Sequence, residues 1–157
     1  ILENSSKEFI PLELELEIIE KYLTTQKMRF EDRFDFKLNI DELLIEKQAL
    51  IPPMITQPFI ENAIWHGIMK KEGEKIIELT IKEDSGNVLC IVLDNGVGIN
   101  KTKEVTHLSE RRKFLGAEAT ENRIRMLHQN KNVDIETIDI SSGINTGTQV
   151  SISFPLK

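Results

Sequence analysis

Leu12, Leu16, Ile19 and Leu23 recur at three- and four-residue intervals between Pro11 and about Phe30, the spacing of one helical face. The stretch LELELE inside this segment alternates as a strand would. However, Glu and Leu are good helix formers and Pro11 suits a first helical position, so the segment predicts a helix of about five turns. FDFKLNI (34–40) alternates apolar and polar residues and predicts a strand. IELTIK (77–82) and NVLCIVLD (87–94) predict two more, joined as a hairpin by a turn containing Asp84, Ser85 and Gly86. Pro52 and Pro53 interrupt regular structure ahead of a helix over QPFIENAIWHGI (57–68), and residues 117–129 read as a further helix. VDIETIDI and TQVSISFP alternate cleanly on either side of the turn SSGINTG. The sum is about five strands and three helices, an α/β two-layer sandwich with the helices on one face of the sheet. Between Asn95 and Gly116 no period is visible, and a connection of that length is itself a functional hint.

Composition narrows the picture. At 157 residues the chain is long enough to bury a core as one domain, and 39% hydrophobic with 29% charged residues is ordinary for a globular protein. The net charge of -6 argues against nucleic acid as a partner: Lys70-Lys71 and Arg111-Arg112-Lys113 are short runs that build no broad basic face. The single Cys90 excludes an internal disulfide and a cysteine-based zinc cluster, and its run VLCIVL marks it as a small core residue. No stretch is apolar for the length of a membrane span. Because the chain begins at Ile1, it reads as a piece of something longer, with any membrane anchor outside it.

Two places concentrate chemistry. On the helix 57–68, Phe59, Ile60, Ala63, Ile64 and Gly67 share a broad apolar face. Asn62 and His66 lie about 40° apart on the other side and can address a common object, with Gln57 and Glu61 as a second such pair. The same polar groups could equally be solvated. The second place is DNGVGI (94–99), where an apolar strand ends in Asp94. A carboxylate there is desolvated unless something donates to it, and Gly96 and Gly98 leave the backbone bare for close approach by a flat ligand. Asp-Asn-Gly is also an ordinary turn.

Taken in order, Glu61-Asn62-Ala63, DNGVGI, the long loop into Gly116 and GTQVSISFP resemble the GHKL nucleotide-binding family, and IPPMITQPFIENAIWHGI resembles its LytS-type sensor histidine kinases. The similarity extends over nearly the whole chain from about Pro11. It implies a Bergerat-like mixed, mostly antiparallel sheet and an ATP-binding catalytic domain over residues 31–157. Residues 1–30 would connect to a missing upstream dimerisation and phosphoacceptor region. By this resemblance Asn62 matches the ligand of the Mg2+ that bridges the ATP phosphates, a suitable hard-oxygen donor. Asp94 matches the acceptor of the adenine amino group, Gly96 and Gly98 the glycines beneath the ring, and Thr148, after Gly147, a threonine that fixes that aspartate. Glu61 would help orient metal-bound water, His66 is compatible with facing the phosphates, and Gly116 is what remains of a phosphate-binding lid.

The departures are specific. Trp65 stands where many histidine kinases have a phosphate-reaching lysine. Pro58 stands where hydrolysing relatives have a general-base glutamate, which disfavours rapid ATP hydrolysis and is compatible with transfer to a histidine. Glu118 follows Gly116 closely and would repel a triphosphate unless turned to solvent, while Arg111, Arg112, Lys113 and Arg123 offer positive charge. None of His66, His107 and His128 has the setting of a phosphoacceptor. The resemblance therefore implies the cytoplasmic catalytic domain of a membrane-anchored sensor kinase, with ATP, an upstream acceptor helix in a homodimer and a response regulator as partners. The alternative is a degenerate kinase-like module that transmits conformation or binds partners without using ATP.

Overall fold

The computed structural model describes residues 8–99, 118–129 and 132–157. Its main sheet has five strands in the order β2 (Asp35–Ile40), β4 (Ile76–Asp84), β5 (Asn87–Asp94), β7 (Thr148–Pro155), β6 (Asp134–Asp139). Only β2 and β4 run parallel; the other three pairings are antiparallel. A parallel pair needs a crossover. Here it consists of a short helix α2 (Glu42–Glu46), the two-residue strand β3 (Leu50–Ile51) and the helix α3, which begins at Gln57. β3 pairs antiparallel with β1 (Ile10–Pro11). Strands this short leave no readable alternation, and they and α2 were not visible in the sequence pattern.

Strand alternation decides which face is covered. Ile77, Leu79 and Ile81, then Val88, Cys90 and Val92, then Val150, Ile152 and Phe154 all point to one side and are buried there. The helices pack on that side, so the predicted two-layer arrangement is the one observed. The helix α1 (Leu12–Arg29) has the predicted extent, with acidic residues in its first turn and Lys27 and Arg29 in its last, as the helix dipole favours. Leu12, Ile19 and Leu23 join the same core cluster as the sheet residues. Cys90 is fully buried, as its run suggested, and burial pushes its thiol up to about 12.

One residue breaks the apolar stripe of α1. Glu15 lies between Leu12 and Ile19 at helical spacing and is only 1% exposed. Its Oε1 accepts a hydrogen bond from the Met54 amide at 2.8 Å, and Arg123 lies near enough to stabilise its charge. Neither contact cancels the cost of burial, which raises its pKa from the usual 4.5 to about 7. Arg123 extends from α4 (118–127), whose Thr120 and Ile124, followed by His128, face inward.

Candidate functional site

α3 (Gln57–Asn62) does not end as an α-helix. It widens into π geometry over Ala63–Gly67 and closes in a 3₁₀ turn at Ile68–Lys70. Such widened turns are frequent at functional sites. Pro58 falls in the first turn, where a missing N–H costs nothing. Residues 54–56 separate the two prolines from the helix. Phe59, Ile60, Ala63, Ile64 and Gly67 are buried as the periodicity predicts, while Asn62 and His66 are half-buried at the rim.

Gly67 brings this helix against the end of β5. A side chain added at Gly67 would stand 2.8 Å from Asp94 Oδ1. One added at Gly96 would stand 2.2 Å from the Gly67 carbonyl carbon, and one at Gly147 would stand 2.3 Å from the Asp94 carbonyl oxygen. Three glycines from three segments thus form a collar around Asp94, and the Val97 amide donates to the Gly67 carbonyl across it. Asp94 is 5% exposed, and its Oδ1 accepts the Gly96 amide at 2.8 Å, so a donor does meet the buried carboxylate. Thr148 sits opposite Asp94 in the ladder and projects to the same face.

Gly98 lies slightly apart, with φ of +86°, a left-handed conformation that suits glycine. An added side chain there would meet Ser141 Oγ and the Asp139 carboxylate. That carboxylate receives the amides of Ile99 and Ser141, at 3.1 and 2.9 Å, and so ties the segment after β5 to the segment after β6. The structure therefore gathers Asp94, Gly96, Gly98, Gly147 and Thr148 at one end of the sheet, beside the helix that carries Asn62 and His66. At Gly96, the space that bare backbone leaves is taken by Gly67 rather than left open.

Glu61 and Trp65 face elsewhere. The Glu61 side chain accepts a hydrogen bond from the Tyr22 hydroxyl on α1, and burial, followed by this carboxylate, pushes that hydroxyl's pKa up. Trp65 packs edge-on against Phe30, with ring centroids 5.1 Å apart, and the Arg29 guanidinium lies 5.3 Å from its ring. These contacts dock α3 to the end of α1, which accounts for an indole at this position. Glu118 is exposed, turned to solvent. His128 is enclosed by Phe9 and Phe154, with Nδ1 2.9 Å from the Ile124 carbonyl oxygen. Gly116, His107, Arg111, Arg112 and Lys113 lie outside the described residues.

Sequence reasoning missed Gly67, Asp139 and Ser141. Gly67 was grouped with the apolar face, although a glycine on a packed helical face signals a neighbour too close for a Cβ. Nothing local marks Asp139, which acts across the sheet on residues forty positions away. Gly96→Ala follows from the collar as a direct test. Its methyl would collide with backbone, which cannot rotate aside. A loss of about 2 kcal/mol is expected in urea unfolding; an unchanged midpoint would contradict the contact.

Among the described residues no three of His, Cys, Asp and Glu converge on a possible metal position. A metal at Asn62 would therefore take its remaining ligands from a bound molecule and from water, the usual habit of magnesium. A neutral carboxamide and a buried acceptor fit a metal-bearing nucleotide.

No family model matches the chain. It is 30% identical over 160 residues to the sensor protein LytS of Bacillus subtilis strain 168, covering 99% of this chain and 26% of that protein. It is 36% identical over 103 residues to the sensor histidine kinase/phosphatase LytS of Staphylococcus aureus strain Mu50, covering 65% and 17%. Among solved structures it resembles a mycobacterial sensor histidine kinase, MprB, with a TM-score of 0.63 and 14% identity, covering 96% of this chain and 97% of that one. At that identity the likeness establishes the fold. The chain spans about a third or less of the length of the curated relatives it matches.

Proposed function

We propose that this chain, a homologue of the LytS sensor histidine kinases with the fold of a histidine kinase catalytic domain, binds ATP and presents its γ-phosphate to a histidine. The observation that carries the reading is the buried Asp94 carboxylate, held by the Gly96 amide inside a collar of glycines, one of which, Gly67, lies on the helical segment that carries Asn62. A carboxylate there is an acceptor for an amino group. Asn62 would lend its carboxamide oxygen to magnesium, which when bound neutralises phosphate charge. Phosphoryl transfer asks the protein mainly for positioning and charge compensation. Thr148 supports Asp94 from the neighbouring strand, and His66 faces the phosphate side. Pro58 supplies no base for water, which favours transfer over hydrolysis. Glu61, engaged with Tyr22, serves to dock α3.

The acceptor histidine belongs to a helix upstream of this domain, α1 connects to it, and the full protein works as a homodimer that hands the phosphoryl group to a response regulator. No helix among the described residues is long and apolar enough to cross a membrane. On this reading the domain lies in the cytoplasm and any anchor lies in another part of the protein. Calorimetric titration with an ATP analogue and magnesium tests the proposal. Asn62→Ala is expected to keep some binding while removing its dependence on magnesium. A chain that binds no nucleotide at millimolar concentration would instead favour the degenerate module, for which Trp65 is the specific observation.

A further inference from the structure

The corner between β3 and α3 is held in an unusual way. Pro52 and Pro53 are buried, and neither can donate a backbone hydrogen bond. The next residue, Met54, has a φ of +60°, a left-handed conformation uncommon for a residue with a side chain. The peptide group between Pro53 and Met54 is gripped from both ends. Its N–H donates to Glu15 Oε1 of α1 at 2.8 Å, and its carbonyl oxygen accepts from Arg123 Nη2 of α4 at 2.5 Å. When Glu15 is ionised, the two side chains also attract each other. A surface turn could take both hydrogen bonds from water. This one takes them from a buried acid and a half-buried guanidinium on two different helices.

Three residues further on, α3 begins. Beyond its first turns lie Asn62 and then Gly67, which is packed against Gly96 and Asp94 with no room for a methyl group. A helix is stiff, so a displacement at its start is carried along it to that contact. Tolerances there are a fraction of an ångström, the range in which binding groups lose their geometry.

We propose that Glu15 and Arg123 are positioning residues for the nucleotide site, setting α3 and hence Asn62 and Gly67 relative to Asp94 through the Pro53–Met54 peptide. Both side chains are engaged at that peptide, Arg123 on its carbonyl oxygen, and each acts through α3. The arrangement makes α1 and α4 two handles on one peptide, so that a shift of either helix is felt at Asn62. The inference rests on the reading of that site as nucleotide-binding.

The test measures affinity for a non-hydrolysable ATP analogue with magnesium, and thermal stability, on the same samples of the 157-residue chain. The variants are Glu15→Leu, which removes the acceptor of the Met54 amide, Arg123→Gln, the pair together, and Leu44→Ala as a comparator. Leu44 is fully buried on α2 and takes no part in the two hydrogen bonds to the Pro53–Met54 peptide, so its truncation lowers stability by another route. Each single substitution is expected to weaken binding about fivefold, and the pair no more than about tenfold, because both act through one peptide. Leu44→Ala is expected to lower the melting temperature with affinity unchanged. Arg123→Lys, a milder change, covers the case in which Arg123→Gln does not fold, and is expected to fall between Arg123→Gln and the unsubstituted chain.

If the singles lose stability as Leu44→Ala does while affinity stays within about twofold, the pair is only a structural clamp and the proposal fails. Multiplying single effects in the double variant would overturn the shared route. An unsubstituted chain that binds no nucleotide removes the reading of the site itself. Binding by that chain with unaffected variants removes only the role of the pair.

Discussion

Asp94→Asn is expected to abolish nucleotide binding, by at least about a hundredfold, with little change in the fold. The substitution is nearly isosteric, and its carboxamide oxygen can still accept the Gly96 amide that Asp94 receives at 2.8 Å. What changes is the other end of the group. An acceptor becomes a pair of donors, so an amino group of the ligand would meet N–H where it needs oxygen. In a buried site that loss is large, because the ligand gives up its water and finds no replacement. Sites built around a hydrogen bond reject a mismatched partner by factors of about 10⁴ to 10⁵. Calorimetric titration reads the affinity, and circular dichroism checks the fold. If Asp94→Asn binds an ATP analogue within about threefold of the unsubstituted chain, Asp94 is a turn residue and the adenine assignment is lost.

The second large effect concerns Glu15 and pH. The folded chain holds the Glu15 proton up to about pH 7, whereas an unfolded chain releases it near 4.5. Between these values the folded state carries more protons, so stability falls as pH rises. The contribution is fully present below the unfolded value and is lost as pH passes through the folded one. At 1.36 kcal/mol per unit, the span corresponds to about 3 kcal/mol. The cause is burial, only partly offset by the Met54 amide and Arg123. Glu15→Gln removes the titration, so its stability relative to the unsubstituted chain is expected to rise by about 3 kcal/mol from about pH 5 to about pH 8. Urea unfolding at both pH values measures this, and all other titrating groups cancel in the difference. Parallel pH profiles would mean that Glu15 ionises at its ordinary value, which would contradict its burial.

The gain and the loss in these two experiments share a physical origin. A carboxylate inside a protein is costly unless donors meet it. Asp94 has the Gly96 amide at the open end of the sheet, where a ligand can supply more. Glu15 has the Met54 amide in a closed interior, where Arg123 supplies a charge but no ligand can enter. The first is suited to recognition and the second to holding a joint.

Alternation and helical spacing by themselves determined the strands β2, β4, β5, β6 and β7, the span of α1, the buried face of α3 and the two-layer arrangement. These are properties of neighbouring residues, because a side chain's face follows from its position along the backbone. The same pattern located Asp94 as a charge at the end of a buried strand, and the order of motifs led to the resemblance. Tertiary structure alone decided what surrounds these residues. It decided that Gly67 fills the space at Gly96, that Asp139 braces the Gly98 turn from across the sheet, and that Glu61 and Trp65 turn toward α1. It also decided that Glu15, one glutamate among several in LELELE, is the buried one, joined with Arg123 to a single peptide group. Each of these depends on contacts between residues far apart in the chain, and no local period encodes which distant partner a side chain meets.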